Sequence, residues 1–154
     1  MKCIWCQRCF TSASGLSHHL ESNSCPNKDT NRQGIYNFIR SRDQTGFVTK
    51  NLLEWHDNDT AETWATDNAF NGYMWECYLC NREFSSKQGL NQHLNSPTHM
   101  SKIYHCPSRT CGKEFVTLAA LFNHLESESC GFTKFTKVQR SVDGFFNPSR
   151  AITF

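Results

Sequence analysis

One pattern of cysteine, histidine and apolar residues occurs three times in the chain, and it constrains the fold more tightly than any property of composition. The middle copy reads Cys77, Cys80, Phe84, Leu90, His93 and His99, or C-x2-C-x3-F-x5-L-x2-H-x5-H. The third reads Cys106, Cys111, Phe115, Leu121, His124 and Cys130, with a looser first pair and a cysteine in last place. At the amino end two C-x2-C pairs compete, Cys3 with Cys6 and Cys6 with Cys9. Registry chooses between them. With Cys6 as the second member, Phe10, Leu16, His19 and Cys25 fall at the offsets of the other copies, whereas Cys9 in that place leads to Ala13, His19 and Ser22. Cys9 is left as a spare thiol.

Two closely spaced cysteines on a tight turn present their sulfurs on one side of a short hairpin. Some twelve residues later the chain has become a helix whose inner face offers an imidazole, and the Phe and Leu between them form a small apolar plug under the metal. Four thiolate or imidazole donors per copy suit tetrahedral zinc, so three structural Zn2+ ions are expected. A ββα unit of this size buries too little surface to fold unaided, and zinc binding of roughly 10–16 kcal/mol supplies the deficit.

Composition agrees. The chain has 154 residues with nine cysteines and seven histidines. The start Met1-Lys2-Cys3-Ile4-Trp5-Cys6 has no apolar run of signal-peptide length and no other run could span a membrane, so the thiols are expected to be reduced. Hydrophobic residues make up 38%, some of them metal-binding cysteines, a thin supply for one large core. A formal net charge of +2 gives no strong basic field and leaves the partner open.

The copies resemble zinc fingers of the two-cysteine, two-histidine family, with the first and third being the three-cysteine, one-histidine variant. The resemblance covers about half the chain. The wording around the middle ligands, Cys77-Tyr78-Leu79-Cys80 and Gln92-His93-Leu94-Asn95-Ser96-Pro97-Thr98-His99, is similar to finger proteins of filamentous ascomycete fungi. The implied fold class is small α+β: three ββα fingers, a short helical insert and a C-terminal extension. The expected organisation is finger one at 1–25, insert at 26–72, finger two at 73–99, linker at 100–105, finger three at 106–130 and a basic-aromatic extension at 131–154.

Departures from the family pattern bear on function. The last two ligands are six positions apart in each copy, and on a regular helix such residues point about 240° from one another. The last turn must therefore distort. In finger two Pro97 enforces this, so the helix is predicted to stop near Asn95 with His99 returning from a loop. Long final spacing resembles the fingers of RNA-associated and double-stranded-RNA-binding proteins. The helix positions at which family members read bases are Ser12, Gly15 and His18, then Ser86, Gly89 and Gln92, then Thr117, Ala120 and Asn123. None is arginine, the commonest specific partner of guanine. Residues 100–105 also lack the Thr-Gly-Glu-Lys-Pro linker of tandem DNA-binding arrays.

In the insert, Ile35, Phe38, Ile39 and Arg42 fall at helical spacing within 31–42, with Gly46 as a stop. A second short helix could begin at Thr49, carrying Leu52, Leu53 and Trp55, followed by a polar loop at Asp57-Asn58-Asp59-Thr60, and Asn71-Gly72 signals a turn into finger two. The insert is either packing material, as apolar stripes usually are, or a recognition segment; Trp64 and Phe70 fit both. The extension sets Lys134, Lys137, Arg140 and Arg150 against Asp143, among Phe132, Phe135, Phe145 and Phe146. It either binds single strands by charge and stacking or lies against the last finger. His56 and His105 fall outside the ligand pattern.

Closed four-ligand sites are structural, and neither an H-E-x-x-H helix nor a phosphate-cradling glycine loop is present, so no enzyme and no small-molecule substrate are expected. The leading expectation is a nucleic-acid-binding protein, of RNA or DNA, that reads shape and backbone without base-specific groove contacts, through Arg82, Lys87, Gln92, Lys102, Asn123, Lys134, Lys137 and Arg140. A protein-interaction scaffold is the alternative, and a sequence-specific transcription regulator the third. The setting is expected to be intracellular, nuclear before cytoplasmic.

Overall fold

The structure is a computed structural model that describes residues 1–50, 64–147 and 152, with only the backbone at Asp143. The expectations for Leu52, Leu53, Trp55, His56, the loop at 57–60 and Arg150 lie outside the described residues. The chain divides into two compact units: Met1–Leu53 with Lys102–Phe154, and Glu54–Ser101. The architecture is small α+β, with short antiparallel strand pairs each followed by a helix.

The first unit holds fingers one and three. Finger one is a turn closed by the pairing of Lys2 with Cys9, followed by α1 (Ala13–Glu21). Ser12 caps α1 by accepting the Gly15 N–H at 3.0 Å. This pairs a helix donor that has no partner within the first turn. Finger three is the hairpin β3 (Tyr104–His105) with β4 (Glu114–Phe115), then α4 (Leu118–Glu126), capped in the same way by Thr117 on Ala120. Helices α1 and α4 pack against each other and bury Ala13, Leu16 and Leu20 from one, Leu118, Leu121, Phe122 and Leu125 from the other.

The insert and the extension complete this unit. Helix α2 (Arg32–Arg40), capped by Asn31, buries Ile35 and Ile39 of the expected stripe together with Tyr36, while Phe38 is half-buried and Arg42 lies beyond the helix end. Beyond it, Asp43 is buried and accepts hydrogen bonds from the N–H groups of Phe47, Val48 and Thr49 and from the Thr49 hydroxyl. Burial raises its pKa, but these donors outweigh it and hold the carboxyl below its ordinary range. Thr49 pairs with Tyr104, and the Lys50 and His105 N–H groups donate to Ile103 and Val48 carbonyls, adding a third strand to the finger-three hairpin. Helix α5 (Phe135–Phe146) lays Val138, Val142, Phe145 and Phe146 into the core, with Phe145 edge-on to Phe122 at 5.0 Å. Arg42 closes its C-terminus by donating to the carbonyls of Gly144, Phe145 and Asn147, where a cation meets the negative end of the helix dipole.

The second unit is built on finger two: hairpin β1 (Trp75–Glu76) with β2 (Glu83–Phe84), then α3 (Lys87–Leu94), capped by Ser86 on Gly89. Its core is small, with Ala65, Cys77, Leu90 and Leu94 buried and Ala69, Trp75 and Phe84 against them. Helix α3 ends at Leu94 with Asn95 as C-cap, and His99 returns on a short 3-10 turn, Pro97–His99, in keeping with the constraint of Pro97. No described helix is long and apolar enough to cross a membrane.

Candidate metal centres and basic surface

Each finger brings four donors to one point. Cys3, Cys6, His19 and Cys25 form one group, Cys77, Cys80, His93 and His99 a second, Cys106, Cys111, His124 and Cys130 a third, with the donor atoms of each lying within 4.8 Å of one another. The turn after the second cysteine explains the convergence. Residues Gln7, Asn81 and Gly112, each next to that cysteine, take left-handed backbone with φ of 61, 56 and 61°, and the chain reverses with both sulfurs on one side. On the opposite wall, Phe10, Phe84 and Phe115 stack against His19, His93 and His124 at 4.9, 4.8 and 5.0 Å and fix the rings. The plug leucines Leu16, Leu90 and Leu121 are buried below.

The separations match a shared metal. A tetrahedral zinc with bonds of about 2.3 Å to sulfur and about 2.0–2.1 Å to nitrogen sets sulfurs ~3.8 Å apart and sulfur from nitrogen ~3.6 Å. Cys3 and Cys25 sulfurs lie 3.9 Å apart, and those of Cys106 and Cys130 3.8 Å. The sulfur to Nε2 distances are 3.4 Å for Cys6 and His19, 3.3 Å for Cys80 and His93, 3.5 Å for Cys77 and His99, and 3.4 Å for Cys111 and His124. The Nε2 atoms of His93 and His99 face each other at 2.9 Å, an approach that two lone pairs make toward a common cation. The donors and their spacing fit zinc.

Electrostatics prepare the donors. Burial, then the nearby Arg8, lowers the pKa of His19; burial, then His99 and Arg82, that of His93; burial, then Lys113, that of His124. Neutral imidazoles, the ligating form, are favoured. A backbone hydrogen bond from Arg8 lowers Cys6, and at Cys111 a bond from Lys113 helps overcome the effect of burial, whereas burial raises Cys3 and pushes Cys106 up to about 12. A cation in the pocket reverses that last cost by binding the thiolates.

Two segments match family models: residues 75–99 match "Zinc-finger of C2H2 type" and residues 104–127 match "Zinc finger, C2H2 type". With the three Cys/His groups, these matches support a zinc-finger protein with three structural zinc ions. The finger-three match stops short of Cys130, and finger one carries its assignment on geometry. No curated protein and no solved structure matches the chain, so the likeness to filamentous ascomycete proteins has no support. Fingers of this type are commonly nucleic-acid binders and typically non-enzymatic.

The structure divides the eight polar residues expected at a nucleic-acid surface. Arg82, Lys87 and Gln92 lie in the second unit, where Lys87 pairs with Asp67 at 2.8 Å and stands 5.4 Å over the Trp75 ring. Lys102, Asn123, Lys134, Lys137 and Arg140 lie in the first unit, all exposed, with Lys134 bonded to Glu128 at 2.7 Å. The near-neutral charge of the chain hides a division that only the fold displays. The first unit carries fourteen Lys and Arg against seven Asp and Glu, a formal +7, whereas the second carries two against seven, a formal −5.

Sequence reasoning missed a pair of carboxylates. Glu21, the last residue of α1, accepts the N–H groups of Leu118 and Ala119 at 2.7 and 3.0 Å, at the start of α4. Glu126, the last residue of α4, accepts those of Ala13 and Ser14 at 2.6 and 3.2 Å and the Ser14 hydroxyl at 2.7 Å, at the start of α1. The helices are antiparallel and each closes the other's positive end. Burial pushes Glu21 up to about 7 against the opposing pull of these amides and of Arg32. The signal was present in the sequence: His-Leu-Glu-Ser-x-Ser-Cys occurs at 19–25 and again at 124–130, while finger two has His-Leu-Asn-Ser-Pro at 93–97.

Proposed function

We propose that the chain binds nucleic acid by shape and backbone, chiefly through the first unit, with its zinc ions holding the scaffold. The twelve cysteine and histidine side chains named above are assigned as the ligands, four to each ion. Zinc, when bound, cross-links hairpin to helix in each finger and does no chemistry on a substrate, because four protein donors leave it no open position.

The observation that carries this reading is the closure of the helix starts in fingers one and three. A base-reading finger puts the N-terminal residues of its helix into the major groove. Here the first amides of α1 and α4 are bonded to Glu126 and Glu21, and Ser12 and Thr117, two of the base-reading positions, are engaged as caps. A phosphate approaching either helix start would meet a carboxylate. What the first unit offers instead is its excess of cations, with Lys137 and Arg140 exposed along α5 and Lys102 and Asn123 exposed elsewhere. Contacts of this kind position a backbone and carry no base code, which favours structured RNA or duplex shape over sequence. Arg82, Lys87 and Gln92 would add contacts from finger two.

The test is retention of the zinc-loaded chain on duplex RNA, single-stranded RNA and duplex DNA across a salt series. The expected result is steeply salt-dependent binding, weakened in the double variant K137E/R140E. Retention that ignores salt, or none at all, would overturn the reading.

A second reading, a protein-interaction scaffold, is favoured by a separate feature. Of the seven large hydrophobic side chains exposed among the described residues, Trp64, Phe70, Tyr73, Tyr78 and Leu79 belong to the second unit, with Tyr73 89% exposed. An acidic unit displaying aromatic rings suits a protein surface better than a phosphate backbone.

A further inference from the structure

Fingers one and three are joined by a reciprocal pair of carboxylates that the described residues do not provide for finger two. Glu21 stands two residues beyond the ligand His19, and Glu126 two residues beyond the ligand His124. Each carboxylate lies at the C-terminal end of its own helix, where the helix dipole repels it. It is favoured there only while the partner helix is formed and presents its first amides. Each helix in turn holds its form through the histidine that joins it to metal. The apolar side chains between α1 and α4 share this dependence, because neither helix has another surface on which to bury them as completely.

We propose that Glu21 and Glu126 act as positioning residues that couple the first and third zinc sites, so that these two ions are bound and lost as a pair while the second site loads independently. Loss of metal from site one frees His19 and loosens α1. Glu21 then leaves the start of α4, and the amides of Ala13 and Ser14 leave Glu126. Two helix starts and one apolar interface are undone together, and finger three, whose helix α4 packs chiefly against α1, loosens its hold on His124 and Cys130. The reverse path has the same links. At the equivalent place finger two has Asn95, whose Nδ2 turns back to the Asn91 carbonyl at 2.9 Å on its own helix. The fourth ligands follow the same division: Asn23 and Glu128, each two residues before Cys25 and Cys130, take left-handed backbone, whereas Pro97 holds that place before His99.

The test uses the full zinc-loaded chain, with native mass spectrometry counting the ions and amide NMR locating the loss. The wild-type count reads the ligand assignment, and the variants read the coupling. Cys3→Ser is expected to release two ions rather than one, with the amide dispersion of finger three lost along with that of finger one. Cys77→Ser is expected to release only the second site's ion. E21Q/E126Q keeps every ligand. Under an EDTA titration it should release the first and third ions in separate steps, at chelator concentrations about tenfold lower than wild type, with finger two unchanged. A Cys3→Ser protein that keeps two ions and native finger-three amides, or an E21Q/E126Q protein that releases metal as wild type does, would overturn the proposal.

Discussion

Fingers two and three share their plug residues and their hairpin register and differ in the last ligand, His99 against Cys130, yet one is the core of a small acidic unit and the other is half of a larger basic one. One difference lies in a cross-strand pair beside the ligands. In finger three the residues flanking the ligands, His105 and Glu114, face each other, and Lys50 from the insert pairs with Glu114. In finger two the same positions are Glu76 and Glu83, two like charges directly opposite, which is unfavourable in an antiparallel pair. The edge strand differs likewise. Residues 48–50 lie along β3 as an added strand, whereas β1 has one bridge to Phe70 from the turn just before it. A common finger is thus built into a larger core or left small by what surrounds its ligands.

The comparison can be broken most severely at the interface between α1 and α4. Leu125→Ala removes a side chain that is 1% exposed between α4 and its neighbours, and it is expected to destabilise the first unit by about 2–5 kcal/mol. Hydrogen exchange should show this as faster exchange through α1, α4 and α5, with α3 unchanged. Equal acceleration in α3 would mean that the units do not unfold separately.

A smaller effect is expected at the edge strand. Asp43→Ala leaves the amides of Phe47, Val48 and Thr49 without their acceptor, and it should cost roughly 3 kcal/mol at neutral pH and detach the strand from finger three. Because the folded carboxyl titrates below its ordinary value, its contribution is present above that value and lost as pH falls through the lowered one. The gap between variant and wild type should therefore be constant near neutrality, as read by thermal melts of the zinc-loaded protein. A variant that keeps the slow exchange of the Lys50 and His105 amides would contradict this account.

The smallest expected effect sharpens the contrast from the other side. Glu76→Lys replaces the repulsive pair with an attractive one and should stabilise the second unit by about 0.2–1 kcal/mol, the scale of cross-strand pairs, without touching the first. Slower amide exchange in β1 and β2 is the readout, and unchanged or faster exchange would show that the carboxylates are not in conflict.

Much of the fold was legible in the chain because metal spacing is a local property. The quartets, the Phe and Leu plugs, the burial of Ile35 and Ile39 on α2 and the end of α3 before Pro97 all follow from residues a few positions apart. The pairing of fingers one and three was not read, although its trace is there. An acid in the last turn of a helix looks like a minor misfit with its own dipole until a second helix, a hundred residues away in sequence, is known to lie antiparallel to it. The strand at 48–50 has no signal of its own in the chain, because the buried Asp43 that gathers its amides and the hairpin edge that it joins are brought to it by the fold.

The sequence by itself determined three zinc fingers, because thiol and imidazole donors at fixed spacing leave few other folds to a chain with so little else to bury. Only the tertiary structure decided how the fingers are grouped. It joined two basic segments from opposite ends of the sequence, left the acidic stretch between them as a separate unit, and turned a near-neutral composition into a formal +7 and −5. Charge acts through space and not along the chain, so which cations share a surface is fixed by packing.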